Sequence, residues 1–421
     1  MGRRKQQPEP SPTIHNPFRT AERLWKKSNP PPLELAFDPS RIIWETIETD
    51  GRLHGVWASG DGSVVECWRV RLGDLAESGM GQSRWKGKER EGEGDYAVVV
   101  PRIPGLVLFP RILPDSLQRS LVAETLQHAR RPNLTVLDNA YQLPPKGLWN
   151  AWVAGKGEEV VPAIPAPKEE QNGGEREGTP ASSTGYDTPS TDAGSGMEDG
   201  KADRLLERAL SRTREVTVRE LLPKMRWANV GWYYNWTSKL YEFERGHIPL
   251  PPVILRCCRD LVRKTPWRQV FLDSSTSDSG SYGGTSSEDW RKWKEDYEPD
   301  AGLVNFYQIK DSLTAHQDVA EVDAVRPLVS FSLGHSSVFL VGGTTKEEPP
   351  LAILLRSGDG VCMSGPSRRA YHGLPRVLSG TLPSFLSSTQ PEPVETVDDW
   401  RPYGEYLERG ARINVNVRSV Y

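Results

Sequence analysis

At 421 residues the chain is long enough for one large domain or several, and its 36% hydrophobic against 26% charged share is polar for a globule, so part of it is expected to lie outside any core. A net charge of −3 argues against a chain-wide basic field for nucleic acid and leaves only local surfaces. Four cysteines (Cys67, Cys257, Cys258, Cys362) without CxxC spacing, no apolar run of spanning length and no signal core argue against a disulfide framework, a zinc ribbon and a membrane helix, and point to a reducing, intracellular setting.

In chain order, residues 1–15 read as a polar tail. Its start fails the myristoylation pattern at Gln6, and its Arg3, Arg4 and Lys5 suit a nuclear address or phosphate contacts as well as an ordinary solvated tail. Residues 16–25 suggest a short docked helix. Strand-like pieces follow between 42 and 100, then a charged, Gly-rich loop over 81–95. Residues 98–109 read as one buried strand interrupted by prolines. Asp115 and Ser116 cap a helix with Leu117, Leu121, Val122, Thr125 and Leu126 at helical spacing.

Residues 155–202 collapse into Pro, Glu, Gly, Ser and Thr and are expected to be a disordered insertion. Helices are expected over 203–210 and 253–264, an aromatic-rich segment over 224–241, and a Ser/Gly loop over 273–287. Short β-type runs then dominate: 303–309, 327–333, 337–341, 352–355, 360–364 and 412–420. The division is a partly disordered N-terminal extension (1–100), the start of the main domain (101–154), the insertion (155–202), a helical region with the aromatic segment (203–300) and a β-rich core of sandwich or jelly-roll type (301–421).

His316 and Asp318 stand two apart, so an extended segment turns both to one face. His372 is the best third partner. Two imidazoles and a carboxylate make a facial triad that leaves three octahedral positions of Fe(II) open for a chelating oxo-acid and O2. An HxD pair by itself is weak evidence, since a His and an Asp two apart often form a surface pair. His335 is a rival ligand, but it sits in a turn and reads as structural; His15, His54, His128 and His247 are expected in surface or packing roles.

A second signal lies in 412–418. Arg412, Asn414, Asn416 and Arg418 share one face of a period-two strand, and Ile413, Val415 and Val417 the other. Two arginines on an inward face call for a dianion such as a dicarboxylate, which guanidinium grips bidentately. An outward-facing edge strand would carry the same pattern. Asn305 and Tyr307 share a strand face shortly before His316 and offer an amide and a phenol to the same ligand.

Taken in order, Asn305-x-Tyr307, His316-x-Asp318, Ser367-Arg368 with His372, and Arg412-x-Asn414-x-x-x-Arg418 resemble the AlkB family of Fe(II)/2-oxoglutarate dioxygenases. The runs 226–236 and 327–334, with Ser357-Gly358-Asp359 leading into Met363-Ser364-Gly365, resemble its eukaryotic branch typified by AlkB homologue one. The resemblance covers most of the chain from about residue 101, the insertion excepted, and more faintly 16–38.

It implies a mainly β fold with flanking helices (α+β) built on a double-stranded β-helix, or jelly roll. It also implies Fe(II) on His316, Asp318 and His372, and 2-oxoglutarate, used together with O2, on Asn305, Tyr307, Arg412, Asn414 and Arg418. The activity implied is oxidative demethylation of methyladenine in DNA or tRNA, with formaldehyde released. A protein-directed (histone) demethylase or hydroxylase using the same iron core is the alternative. Trp227, Trp232, Tyr234 and Trp236 are candidates for stacking on a base, although aromatics at this density are usually core. Where the bacterial member carries an acid two after the metal Asp, this chain has Ala320, then Glu321, so that enzyme's base contacts do not carry over. A monomer is expected, with nucleus, cytoplasm and mitochondrion left open as compartments.

Overall fold

Period-two alternation in the C-terminal third builds two facing sheets. The computed structural model describes residues 16–73, 95–164, 215–235, 238–271, 289–323, 325–390 and 397–420. Its strands are β1 (Ile43–Thr49), β2 (Arg52–Ala58), β3 (Val64–Arg71), β4 (Tyr96–Val99), β5 (Leu106–Phe109), β6 (Val160–Val161), β7 (Val216–Thr217), β8 (Trp227–Gly231), β9 (Tyr234–Asn235), β10 (Leu240–Tyr241), β11 (Ala301–Tyr307), β12 (Leu313–His316), β13 (Leu328–Gly334), β14 (Ser337–Val341), β15 (Leu351–Leu355), β16 (Gly360–Met363), β17 (His372–Val377) and β18 (Arg412–Arg418).

A ten-stranded antiparallel sheet runs β1-β2-β3-β4-β5-β16-β13-β18-β11-β8, and a four-stranded sheet runs β12-β17-β14-β15. The last eight strands divide between them. β11, β13, β16 and β18 join the large sheet and β12, β14, β15 and β17 the small one, which is the winding of a double-stranded β-helix. The architecture is therefore mainly β with flanking helices.

The large sheet separates two environments. Val304 and Phe306, Val329, Phe331 and Leu333, and Ile413, Val415 and Val417 turn to one face and pack with helices Asp115–His128, Pro252–Lys264 and Arg401–Glu408. In Pro252–Lys264 the buried residues Ile254, Cys257, Cys258, Leu261 and Val262 recur at helical spacing, so one stripe reaches the sheet. Burying each such aliphatic side chain contributes roughly 1.5–3 kcal/mol. On the other face Leu328, Val361 and Met363 meet Val341, Leu351, Ile353 and Leu355 of the small sheet.

Several expectations are revised. Residues 98–109 form two strands rather than one: β4 and β5 pair antiparallel with Val98 opposite Leu108, because Pro101 and Pro104 withhold ladder donors and turn the chain back. Gly105 (φ +86°) closes that turn, and a Cβ there would lie 1.9 Å from the Ser364 carbonyl oxygen. Asp115 stands in the first turn of its helix and not at the cap, which is Pro114. The helix expected over 253–264 starts one residue earlier, with Pro251 at its cap and Pro252 in its first turn. Described chain continues to residue 164, with β6 paired to β7. The expected tail 1–15, most of the loop 81–95, most of the insertion, the helix 203–210 and the loop 273–287 lie outside the described residues.

Candidate metal centre

β12 ends on His316 and β17 begins on His372, and the two are register partners across the small sheet. Their rings stand 4.4 Å apart between centroids. Asp318 follows two residues after His316, with His316 Nε2 3.8 Å from its Oδ1. One ligating atom from each of the three lies within 4.8 Å of the others, the one such grouping of His, Cys, Asp and Glu among the described residues. His335 is buried but stays out of the group, as the turn reading expected. Of the remaining histidines, His54 packs on Trp68, His128 meets the Asn229 carbonyl, His247 packs on Trp232, and His15 lies outside the described residues.

Hydrogen bonding sets which ring nitrogens are available. His316 Nδ1 lies 3.0 Å from the Thr314 carbonyl and His372 Nδ1 3.0 Å from that of Ala370. A carbonyl only accepts, so Nδ1 carries the proton in both and Nε2 keeps its lone pair, the tautomer a metal site needs. Burial first, then the neighbouring His316, pulls the His372 imidazole down to about 4, so it is neutral at pH 7. Burial opposes ionisation of Asp318, but Arg418, His372 and His316 outweigh it and hold its carboxyl well below the usual range. Two imidazoles presenting Nε2 and one carboxylate fit a divalent cation of the first transition row.

The second constellation lies on the inner face of the large sheet. Tyr307 is opposite Arg412 and Asn305 opposite Asn414 across β11 and β18, and Ser332 is opposite Asn414 and Ser330 opposite Asn416 across β13. Arg412 is 1% exposed, donates from Nη2 to Ser332 Oγ at 2.8 Å, and leaves Nε and Nη1 without an acceptor. Burial brings its guanidinium down to about 10, still charged at pH 7. A buried cation with two unused donors is costly unless an anion meets it, and a carboxylate of 2-oxoglutarate matches that need. The Tyr307 phenol, pushed up to about 12 chiefly by burial, remains a donor beside it. Asn414 is turned into the sheet, donating to Ser330 Oγ (2.7 Å) and the Phe331 carbonyl (3.1 Å).

Arg418 is placed differently from Arg412. Its Nη1 lies 2.9 Å from Asp318 Oδ2, an ionic approach off hydrogen-bond geometry, and also donates to Glu321. Glu321 and Arg368 (Nη2 to Oε2, 3.8 Å) are each about 1% exposed in their side chains. Asp318 and Glu321 with Arg368 and Arg418 thus form a charge-balanced group that includes one of the metal ligands.

Three of the four aromatic candidates can be placed. Trp227 lies opposite Asn305, on the inner face, at the sheet's end. Tyr234 contacts Tyr241 across the β9–β10 hairpin, while Trp232 packs behind on Phe243 and His247. Trp236 lies outside the described residues. Sequence reasoning overlooked Tyr241, whose phenol is raised by burial first and feels Arg418, Glu321 and Asp318. It also overlooked Ser330 and Ser332, whose alternation with Val329, Phe331 and Leu333 carries the same period-two signal as β18.

A family model described as the 2OG-Fe(II) oxygenase superfamily matches residues 201–418. Relatives include the nucleic acid dioxygenase ALKBH1 of Mus musculus, 34% identical over 224 residues that make up 50% of each protein. The DNA N(6)-methyladenine demethylase ALKBH1A of Arabidopsis thaliana is 30% identical over 50% of this chain and 53% of its own. The tRNA demethylase abh1 of Schizosaccharomyces pombe is 27% identical over 76% of this chain and 80% of its own. The chain spans about half the length of the first two. With more than half of its residues inside the family model, the double-stranded β-helix and the His/Asp/His group, the chain belongs to the 2OG-Fe(II) oxygenase superfamily, which implies Fe(II) and 2-oxoglutarate.

Proposed function

We propose that the chain oxidatively demethylates N-methylated adenine in nucleic acid, with Fe(II) on His316, Asp318 and His372. The observation that carries this reading is the convergence of those three side chains within 4.8 Å, in the same β-helix that holds the orphaned donors of Arg412. Relatives described as a nucleic acid dioxygenase and as DNA, tRNA and RNA demethylases support the substrate class.

Each residue has a part. His316 and His372 present Nε2 and Asp318 its ionised carboxylate. Arg412 grips a carboxylate of 2-oxoglutarate through Nε and Nη1, with Tyr307, Asn305 and Asn414 shaping the floor beneath it. Arg418 holds Asp318 in place and offers Nε to the ligand. When bound, iron and 2-oxoglutarate supply the oxygen activation that oxidises an N-methyl group, whose carbon leaves as formaldehyde. A methylated base reaches the centre only out of its stack, and the rings of Trp227, Tyr234 and Tyr241 provide stacking surfaces at the mouth.

The test is formaldehyde release from methyladenine-containing DNA and tRNA oligonucleotides, run beside methylated histone peptides. Turnover on the oligonucleotides alone supports the reading. Turnover confined to the peptides would replace it with a protein-directed enzyme.

A further inference from the structure

The helix Pro17–Lys27 lies far outside the matched family region, yet it touches the chain neighbours of both imidazoles. Asn16 caps it, its Oδ1 accepting from Arg19 N at 2.8 Å, and Pro17 opens its first turn. The buried stripe is Phe18, Glu22 and Trp25. Phe18 packs in an apolar group with Ala315, Val338 and Leu340, its ring edge-on to Tyr371, the residue before His372. Glu22 is 5% exposed, and its Oε1 accepts the backbone N–H of Ala315, the residue before His316, at 2.7 Å. Arg376 of β17 donates to the carbonyls of Trp25 and Ser28 at the helix's far end.

β12 needs such support. It is only four residues long, lies at the edge of the small sheet, and its pairing with β17 slips register between Leu313 and His316. An edge strand offers backbone donors with no strand beside them, and one held on a single side is free to twist. A buried carboxylate on an amide N–H is a charge-assisted bond of the stronger kind.

We propose that Glu22 is a positioning residue for the metal centre: by fixing the Ala315 amide it holds β12 in the register that aims His316 at His372 and Asp318. This rests on the reading of those three residues as metal ligands. Groups that orient ligands typically alter metal affinity by roughly 10–100-fold when removed. Glu22 acts through the backbone and not on the imidazole itself, so the lower end of that range is expected.

The experiment titrates the apo full-length chain with Mn(II), following the free-ion EPR signal, in wild type, E22A and E22Q. Glutamine keeps an oxygen acceptor at the same reach but gives up the charge on that bond and the pairing with the partly exposed Arg19. Mn(II) affinity about tenfold weaker in E22A, with E22Q between E22A and wild type, supports the assignment. Equal affinity in all three overturns it, and so does an E22Q as weak as E22A. A wild type that binds no Mn(II) removes the ligand reading beneath it, a different failure. Should E22A not fold, hydrogen exchange of the wild-type apo chain decides: the Ala315 amide exchanges at least tenfold more slowly than an open edge amide, or Glu22 does not hold it.

Discussion

Arg412 and Arg418 are six residues apart on one strand face and do different work because their neighbours differ. Arg412 is opposite Tyr307 and Gly334, with one hydroxyl for company, so two of its donors wait for an acceptor. R412M keeps much of the volume and removes the charge. Charged hydrogen bonds are worth about 1.5–3 kcal/mol, so the KM for 2-oxoglutarate should rise roughly 10–100-fold while the fold persists. An unchanged KM in steady-state assays would move the clamp to another residue. Arg418 already has its counter-charges in Asp318 and Glu321. Replacing Glu321 by Leu leaves Arg368 and Arg418 facing one carboxylate in a buried site, which should cost about 3–5 kcal/mol in urea denaturation. E321Q, which still accepts from Arg418, should cost less. Equal stability of E321L and wild type would show that the group is solvated.

At the scale of elements, the hairpin β9–β10 is held from below. Asn229 Oδ1 accepts the Tyr234 amide at 2.9 Å, and the Asn229 carbonyl meets His128 Nε2 at 3.2 Å. Burial brings the His128 imidazole down to about 4 against the upward pull of that bond, with a smaller downward push from Arg130. The unfolded chain therefore takes up a proton near pH 6.5 that the folded chain refuses until about 4. Stability is full above 6.5 and declines as pH falls through that window, by an amount on the order of 2 kcal/mol after allowing for partial exposure. Urea midpoints at pH 7.5 and 5 should differ less in H128Q than in wild type; identical pH dependence would place the acid-sensitive group elsewhere. Legibility differed among elements for physical reasons. β18 is seven residues paired on both sides, so its polar and apolar residues alternate without a break and the clamp could be read directly. β17 was hidden because Gly373 and Pro375 break its pattern, and β12 because four residues at an edge carry little periodicity. The Arg418–Glu321 and Glu22–Ala315 contacts join residues 97 and 293 apart, and no local pattern encodes such pairs.

For the whole molecule, the metal ligands join two strands that otherwise share a short, slipped ladder, so ligand binding and folding are coupled. An ion that binds the folded chain alone stabilises it by about 2.7 kcal/mol at a hundredfold excess over its Kd. For a domain this large, 1 kcal/mol corresponds to roughly 2–4 °C, so a redox-inert ion such as Mn(II) should raise Tm by about 5 °C or somewhat more, and chelation should reverse the shift. H316A loses the imidazole of a side chain that is 35% exposed and leaves both apolar layers untouched, so its apo Tm should match wild type while the metal-induced rise and the turnover disappear. H372A removes a buried ring that packs near Phe339 as well, so it should lose the same rise and also start lower. The two variants together separate ligation from packing. A metal-induced rise that survives in H316A would mean that the ion binds elsewhere, whatever its effect on activity.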